Sequence, residues 1–171
     1  MFLYNRIIMY KLLFDSDALI KASKADFLDA VAGSFNVLIT DEVYNESVEE
    51  GKKGFHPDAD KIENLVKGGK IQKLKRKDYA GSKGPKESFG IGEASVFRAY
   101  KKSRIIVTDD LGFSSYVNKE NIKSVSSAHL LLLLVKKRQM QKSNAKYHLE
   151  KLRPYIRKNI YELVKKDIEG E

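Results

Sequence analysis

The sequence predicts an α/β fold with a mostly parallel central sheet of about five strands and a C-terminal helical tail. Three observations carry this. Short apolar runs alternate with stretches of helical period. The stretches between them open on acids and close on glycine, the signals of a helix start and stop. After residue 126 the alternation ends and only helical patterns remain.

In chain order, "YKLLF" (10–14) is the first strand and "ALIKAS" the helix after it. "ADFLDAVAG" reads as a helix stopped by Gly33, and "FNVLI" (35–39) as the second strand. "DEVYNESVEEGKKG" and "PDADKIENLVKGG" are helices of the same grammar, followed by the strand "IQKL" (71–74). Residues 75–90, "KRKDYAGSKGPKESFG", are basic, rich in glycine and proline and without apolar period, and are expected to form a mobile surface loop. "FGIGEASVF" opens a helix, and "RIIVT" (104–108) and "IKSV" (122–125) complete the strands. The tail is expected to be helical throughout, with Pro154 breaking its second stretch. Residues 1–126 are thus expected to form the α/β core, and 127–171 a helical extension packed on it.

With 171 residues, the chain suits one domain with a real core. Hydrophobic residues at 42% and charged residues at 32% argue against wholesale disorder. The absence of cysteine excludes disulfides and thiolate metal sites, which leaves oxygen and imidazole for any metal chemistry. Arg6 and Lys11 interrupt the apolar N-terminus before membrane-spanning length, and it has no signal-peptide grammar. The run "HLLLLLV" is also too short to span a bilayer, so a soluble cytoplasmic protein without membrane contact is expected. A net charge of +9 makes nucleic acid the default partner class.

Against that basic background, acids stand at the ends of successive elements. Asp15 follows the first strand, Glu46 lies one turn into the helix after the second, Glu93 opens a helix behind two glycines, and Asp109 and Asp110 follow "RIIVT". In a parallel sheet, three of these positions come from strand carboxyl ends or the helices just after them, so they can converge on one edge. Carboxylates brought together repel one another unless cations neutralise them, and hard ions such as Mg²⁺ or Mn²⁺ take oxygen ligands. Each acid also has a plainer reading. Asp15 or Asp17 suits a helix N-cap, Glu46 a solvated helix face, Glu93 a helix dipole, and Asp109–Asp110 a turn. Those readings leave the repeated placement after strands unexplained.

In order, the segments resemble the PIN-domain nucleases. "DSDALI" supplies Asp15, "TDEVYNE" supplies Thr40, Val43 and Glu46 in register, "GIGEA" supplies Glu93, and "TDD" supplies Asp110 with Asp109 beside it. The resemblance covers about residues 10–126. It implies a three-layer α/β/α PIN-like domain and a Mg²⁺- or Mn²⁺-dependent endoribonuclease. Phosphodiester hydrolysis would proceed by a metal-activated water held by four carboxylates, Asp15, Glu46, Glu93 and Asp110. Asp109 would substitute or assist, and Ser16, Asp17 and Thr108 would orient the acids. The tail looks like the C-terminal extension of one PIN-like subgroup of prokaryotic proteins. Many relatives are toxins silenced by a small antitoxin protein, and the family also makes a homodimer plausible; other relatives process ribosomal RNA.

Two rival readings stand beside this one. "LLFDSDAL" also resembles the first motif of haloacid-dehalogenase-type phosphatases, which would use both Asp15 and Asp17 but leave Glu46 and "GIGEA" without a role. A catalytically silent RNA- or protein-binding protein could keep the same fold. The basic stretch around Lys73, Lys75, Arg76 and Lys77 is the candidate RNA contact, or else a solvated surface. His56, His129 and His148 are scattered without ligand spacing and are read as structural.

Overall fold

The run "KLLF" forms the central strand of the sheet in the computed structural model, which describes residues 11–171. Tyr10, expected to open that strand, lies outside the described residues. Strand β1 (Lys11–Phe14) has β2 (Val37–Ile39) on one side and β4 (Arg104–Val107) on the other. β3 (Ile71–Lys73) and β5 (Ser124–Val125) form the edges, and every pairing is parallel. Leu12 to Phe14, Val37 to Ile39 and Ile105 to Val107 are all buried. Continuous burial is what a parallel strand meets when helices cover both faces of its sheet. The architecture is the three-layer α/β/α fold that the sequence predicts.

The order of the strands positions the site. The chain adds β2 and β3 to one side of β1, then crosses to the other side for β4 and β5. The crevice outside the carboxyl ends of β1 and β4 is therefore the topological switch point, where open α/β sheets bind ligands. The Asp15 amide donates to the carbonyl of Val107 (3.0 Å), so the two strand ends leave the sheet side by side.

Helix α1 (Ser16–Lys24) begins at that edge, and the Asp15 side chain caps it by accepting from the Ala18 amide at 2.8 Å. Such a cap is worth about 1 kcal/mol. The cap is therefore Asp15; Asp17 is exposed and pairs with Lys21 one turn on, at 2.5 Å. Helix α2 (Leu28–Ser34) runs one residue past the expected stop at Gly33. Thr40 caps α3 (Asp41–Tyr44), which passes through one widened π turn (Asn45–Glu49) into α4 (Glu50–Lys53). Helix α5 (Pro57–Lys67) ends on Gly69, whose φ of 73° only glycine adopts without strain. The amides of Gly69 and Lys70 bond the carbonyls of Val66 and Leu65, closing a Schellman motif.

Helices α6 (Ile91–Ala99) and α7 (Leu111–Lys119) precede and follow β4. The tail is not helical throughout. Helix α8 (Ser127–Lys136) stops at a turn in which Arg138 takes a φ of 57°. Helix α9 (Lys142–Leu152) ends in a short 3₁₀ turn (Arg153–Tyr155) at Pro154, and α10 (Lys158–Gly170) follows. Leu130 to Leu134 are all buried, because α8 packs on α1 and α2 while α9 and α10 cover α8. Among the described residues, no helix is long and apolar enough to cross a membrane.

Residues 75–90 lack regular structure beyond a 3₁₀ turn (Arg76–Asp78), but they are anchored rather than loose. Buried Tyr79 donates its hydroxyl to Glu42 and accepts from the Asp41 amide at 3.0 Å. Burial and the Glu42 carboxylate push its phenol above the usual range. Farther along, the Lys86 amide donates to the Tyr116 hydroxyl (2.7 Å), and Phe89 packs on Phe113 and Tyr116. Tyr79→Phe strips partners from both Glu42 and the Asp41 amide. It is expected to cost about 1–2 kcal/mol in urea unfolding and to speed hydrogen exchange around Tyr79.

Candidate active site at the carboxyl edge of the sheet

Asp15 stands at the switch point and is only 1% exposed. Its Oδ1 serves the helix cap, while its Oδ2 is buried with no hydrogen-bond partner. Burial raises its carboxyl to about 7, although the Ala18 amide and the Thr108 hydroxyl, which lies close without forming a well-aligned hydrogen bond, pull it down. The nearby charges of Asp17 and Asp109 raise it further. A buried carboxylate oxygen with no partner is costly for a fold to keep.

Glu46 reaches the same edge from the π turn. A π turn inserts an extra residue into a helix and is often found at functional sites. Here the Ser16 hydroxyl donates to Glu46 Oε2 (2.5 Å), and the Gly92 amide donates to Oε1 (3.0 Å). Ser16 directly follows Asp15, and Gly92 directly precedes Glu93. The carboxylate of Glu46 thus joins the β1 exit to the start of α6. A hydroxyl pair, Thr40 with Ser95 at 2.6 Å, fastens the start of α3 to α6 beneath it. The Glu93 carboxylate folds back over Gly90, where a β-carbon would meet Oε2 at 2.4 Å.

The two acids after β4 differ in their engagements. Both Asp109 oxygens are held by Ser127, one by its amide (2.9 Å) and one by its hydroxyl (2.5 Å), tying the site to the start of α8. Burial raises the Asp109 carboxyl above its ordinary range against those two bonds. Asp110 is exposed and caps α7, its Oδ1 accepting from the Phe113 amide at 2.5 Å. Its own amide donates to the Thr108 hydroxyl (3.2 Å). Thr108 thus lies near Asp15 and holds the Asp110 amide, while Ser16 and Asp17 follow Asp15 in the first turn of α1.

The structure brings Asp15, Glu46 and the Gly92–Glu93 turn into one connected set, with Asp109 and Asp110 on the adjoining strand end. Among the described residues, no three acids or histidines already form a metal cage. The donor set nevertheless fits a hard divalent cation: it is all oxygen, and Asp15 Oδ2 is a buried donor without a well-aligned hydrogen bond. Of the histidines, His129 shares a bond with the Ser126 hydroxyl (2.7 Å) and His148 with the Ala25 carbonyl (2.8 Å), as structural side chains do.

Lys73 and Arg76 are already paired on the outer side of the sheet. Lys73 lies 3.2 Å from Asp41 and over the Tyr44 ring, and Arg76 reaches Glu42 at 3.4 Å. Lys75 and Lys77 are exposed. Local sequence pattern did not point to Ser95 or Tyr79, nor to Gly92 as a partner of Glu46, since the partners lie 37 to 55 residues apart.

A parallel sheet with acids at its switch point, on a basic body, defines an α/β protein with an acidic ligand-binding edge. A protein-family model described as a PIN domain matches residues 11–169, and the chain belongs to the PIN-domain family. PIN domains are usually nucleases, acting on nucleic acids and generally with divalent metals. This membership displaces the phosphatase reading of "LLFDSDAL". No curated protein and no solved structure matches the chain.

Proposed function

We propose that the protein is a Mg²⁺- or Mn²⁺-dependent endoribonuclease. The observation that carries this reading is Asp15 Oδ2, a buried acceptor without a partner at the switch point of the sheet. Asp15, Glu46, Glu93 and Asp110 would hold the cation, with Asp109 beside them. When bound, such an ion activates water and neutralises charge on the phosphate. The chain's own residues set the geometry. Ser16 and the Gly92 amide fix Glu46, Thr108 steadies the turn into Asp110, and Asp17 adds negative potential at the rim.

The basic surface bearing Lys73, Lys75, Arg76 and Lys77 would meet RNA phosphates. Lys75 and Lys77 are the readier of the four, since Lys73 and Arg76 must first leave Asp41 and Glu42. Residues 127–171 act in this reading as an extension packed on the same domain, supported by the contacts of α8 with α1 and α2. The cellular setting that goes with it is cytoplasmic. The protein would act alone or as a homodimer, either in RNA processing or as a toxin restrained by a small antitoxin protein.

The test is incubation of purified protein with a mixed RNA pool and Mn²⁺. Cleavage that EDTA stops and fresh Mn²⁺ restores is the expected result. RNA binding without cleavage across varied RNAs would instead favour a silent binding protein.

A further inference from the structure

We propose that the cleft between the strand-end acids and the segment Pro154–Arg157 seats a nucleotide of single-stranded RNA next to the scissile phosphate, with Arg157 taking a phosphate and Tyr155 a base. The inference rests on the ribonuclease reading above and adds the tail to its substrate site. The cleft has a volume of about 350 Å³, with Asp17, Lys21, Asp109 and Asp110 on one wall and Tyr155 and Arg157 on the other. That volume falls within the roughly 300–1,000 Å³ of small-ligand pockets.

Of the two cations lining the cleft, Lys21 is already paired. Asp17 is held by Lys21, Asp109 by Ser127, and one Asp110 oxygen by the Phe113 amide. Arg157 is exposed and makes no ion pair among the described residues, although it lines the same cleft as three aspartates. A guanidinium presents a planar fork of donors that matches a phosphate. RNA approaching an acidic mouth needs such a cation, because the carboxylates alone would repel its backbone.

Tyr155 supplies the second half of the site. The residue is 43% exposed, stands at the turn that Pro154 stiffens, and has the Lys24 ammonium over one face of its ring, 5.3 Å from the centroid. A partly exposed aromatic ring is the element on which single-stranded nucleic acids stack, because every base offers a π face whatever its identity, and the Lys24 ammonium on one face of this ring can turn from it to a phosphate. Phosphate and base contacts lie two residues apart, on a segment whose flanking helices α9 and α10 pack on α8.

The test uses full-length protein. Binding of a fluorescent single-stranded RNA to the Asp15→Asn form is followed by anisotropy at several salt concentrations, and steady-state cleavage is measured on the Asp15 background. Tyr155→Ala is expected to weaken binding about tenfold, and Tyr155→Phe, which keeps the ring, to restore it. Arg157→Ala is expected to lower the slope of log affinity against log salt by about 0.7, one phosphate contact on a single strand. Both alanine variants should raise KM while leaving kcat unchanged. Lys142→Ala, an exposed cation outside the cleft, should alter neither. If the unmodified protein cleaves RNA and both cleft variants keep its KM and salt slope, the cleft inference falls and the nuclease reading stands. If the unmodified protein neither binds nor cleaves RNA, the nuclease reading falls and takes the cleft with it.

Discussion

Asp15→Asn is expected to abolish cleavage while making the metal-free protein more stable at pH 8. Loss of a residue that only supports a metal ligand costs about 10–100-fold in activity or affinity, so a direct ligand should cost at least as much. The gain in stability follows from burial. The Asp15 carboxyl is raised from 3.8 to about 7 in the folded chain, chiefly by burial. The folded state thus binds this proton more tightly than the unfolded state does. Its contribution is fully present below about pH 4 and is lost as pH rises through about 7, amounting to a penalty on the order of 4 kcal/mol. Asparagine carries no charge and remains a good N-cap for the Ala18 amide.

At pH 8 without metal, the variant should therefore unfold at higher urea than the unmodified protein, and at pH 4 the two curves should converge. Added Mn²⁺ should stabilise the unmodified protein, because a cation rewards the ionised carboxylate. It should leave the variant nearly unmoved. Equal stabilities at pH 8 would show that the fold already compensates the Asp15 charge, and the central premise of the site would fail.

Much of this was legible in the sequence because strands and strand-end acids are local signals. Apolar runs bounded by polar turns placed β1 to β5, and the alternation with helices implied their parallel pairing. The site positions stood out as acids after strands. Sequence could not assign the cap, because "DSD" offers two aspartates and only the exit angle of β1 selects Asp15. Nor could it show the π turn under Glu46, since the helical segments on either side are too short for a one-residue shift of apolar phase to be read. The loop at 75–90 reads as loose because its anchor, Tyr79, bonds to residues more than thirty positions away. The tail reads as helical with a break at Pro154, but the pattern does not show that this turn brings Tyr155 and Arg157 to acids more than forty residues earlier. Contacts at such separation come from packing and leave no periodic mark.

The contact between Glu46 and Gly92 offers a test of site geometry separate from charge. Gly92 is buried in the first turn of α6, and its amide donates to Glu46. A β-carbon there would fall 2.4 Å from Glu46 Oε2 and 3.0 Å from Cδ. The obstructing atoms are the far end of a flexible side chain, so the backbone need not move; the carboxylate must. Gly92→Ala is therefore expected to leave the fold intact, aided by up to about 1 kcal/mol of helix propensity. Cleavage should fall about 100-fold, the cost of displacing a positioned group by about 1 Å. Gly33→Ala is the matched control: it too lies in a helix, and a β-carbon there meets nothing within 4 Å. Kinetics and thermal melts of the two variants separate the effects. Comparable melting temperatures with activity lost only in Gly92→Ala would tie catalysis to the placement of Glu46. Full activity in both would remove Glu46 from the site and leave its two hydrogen bonds as a brace between α1 and α6.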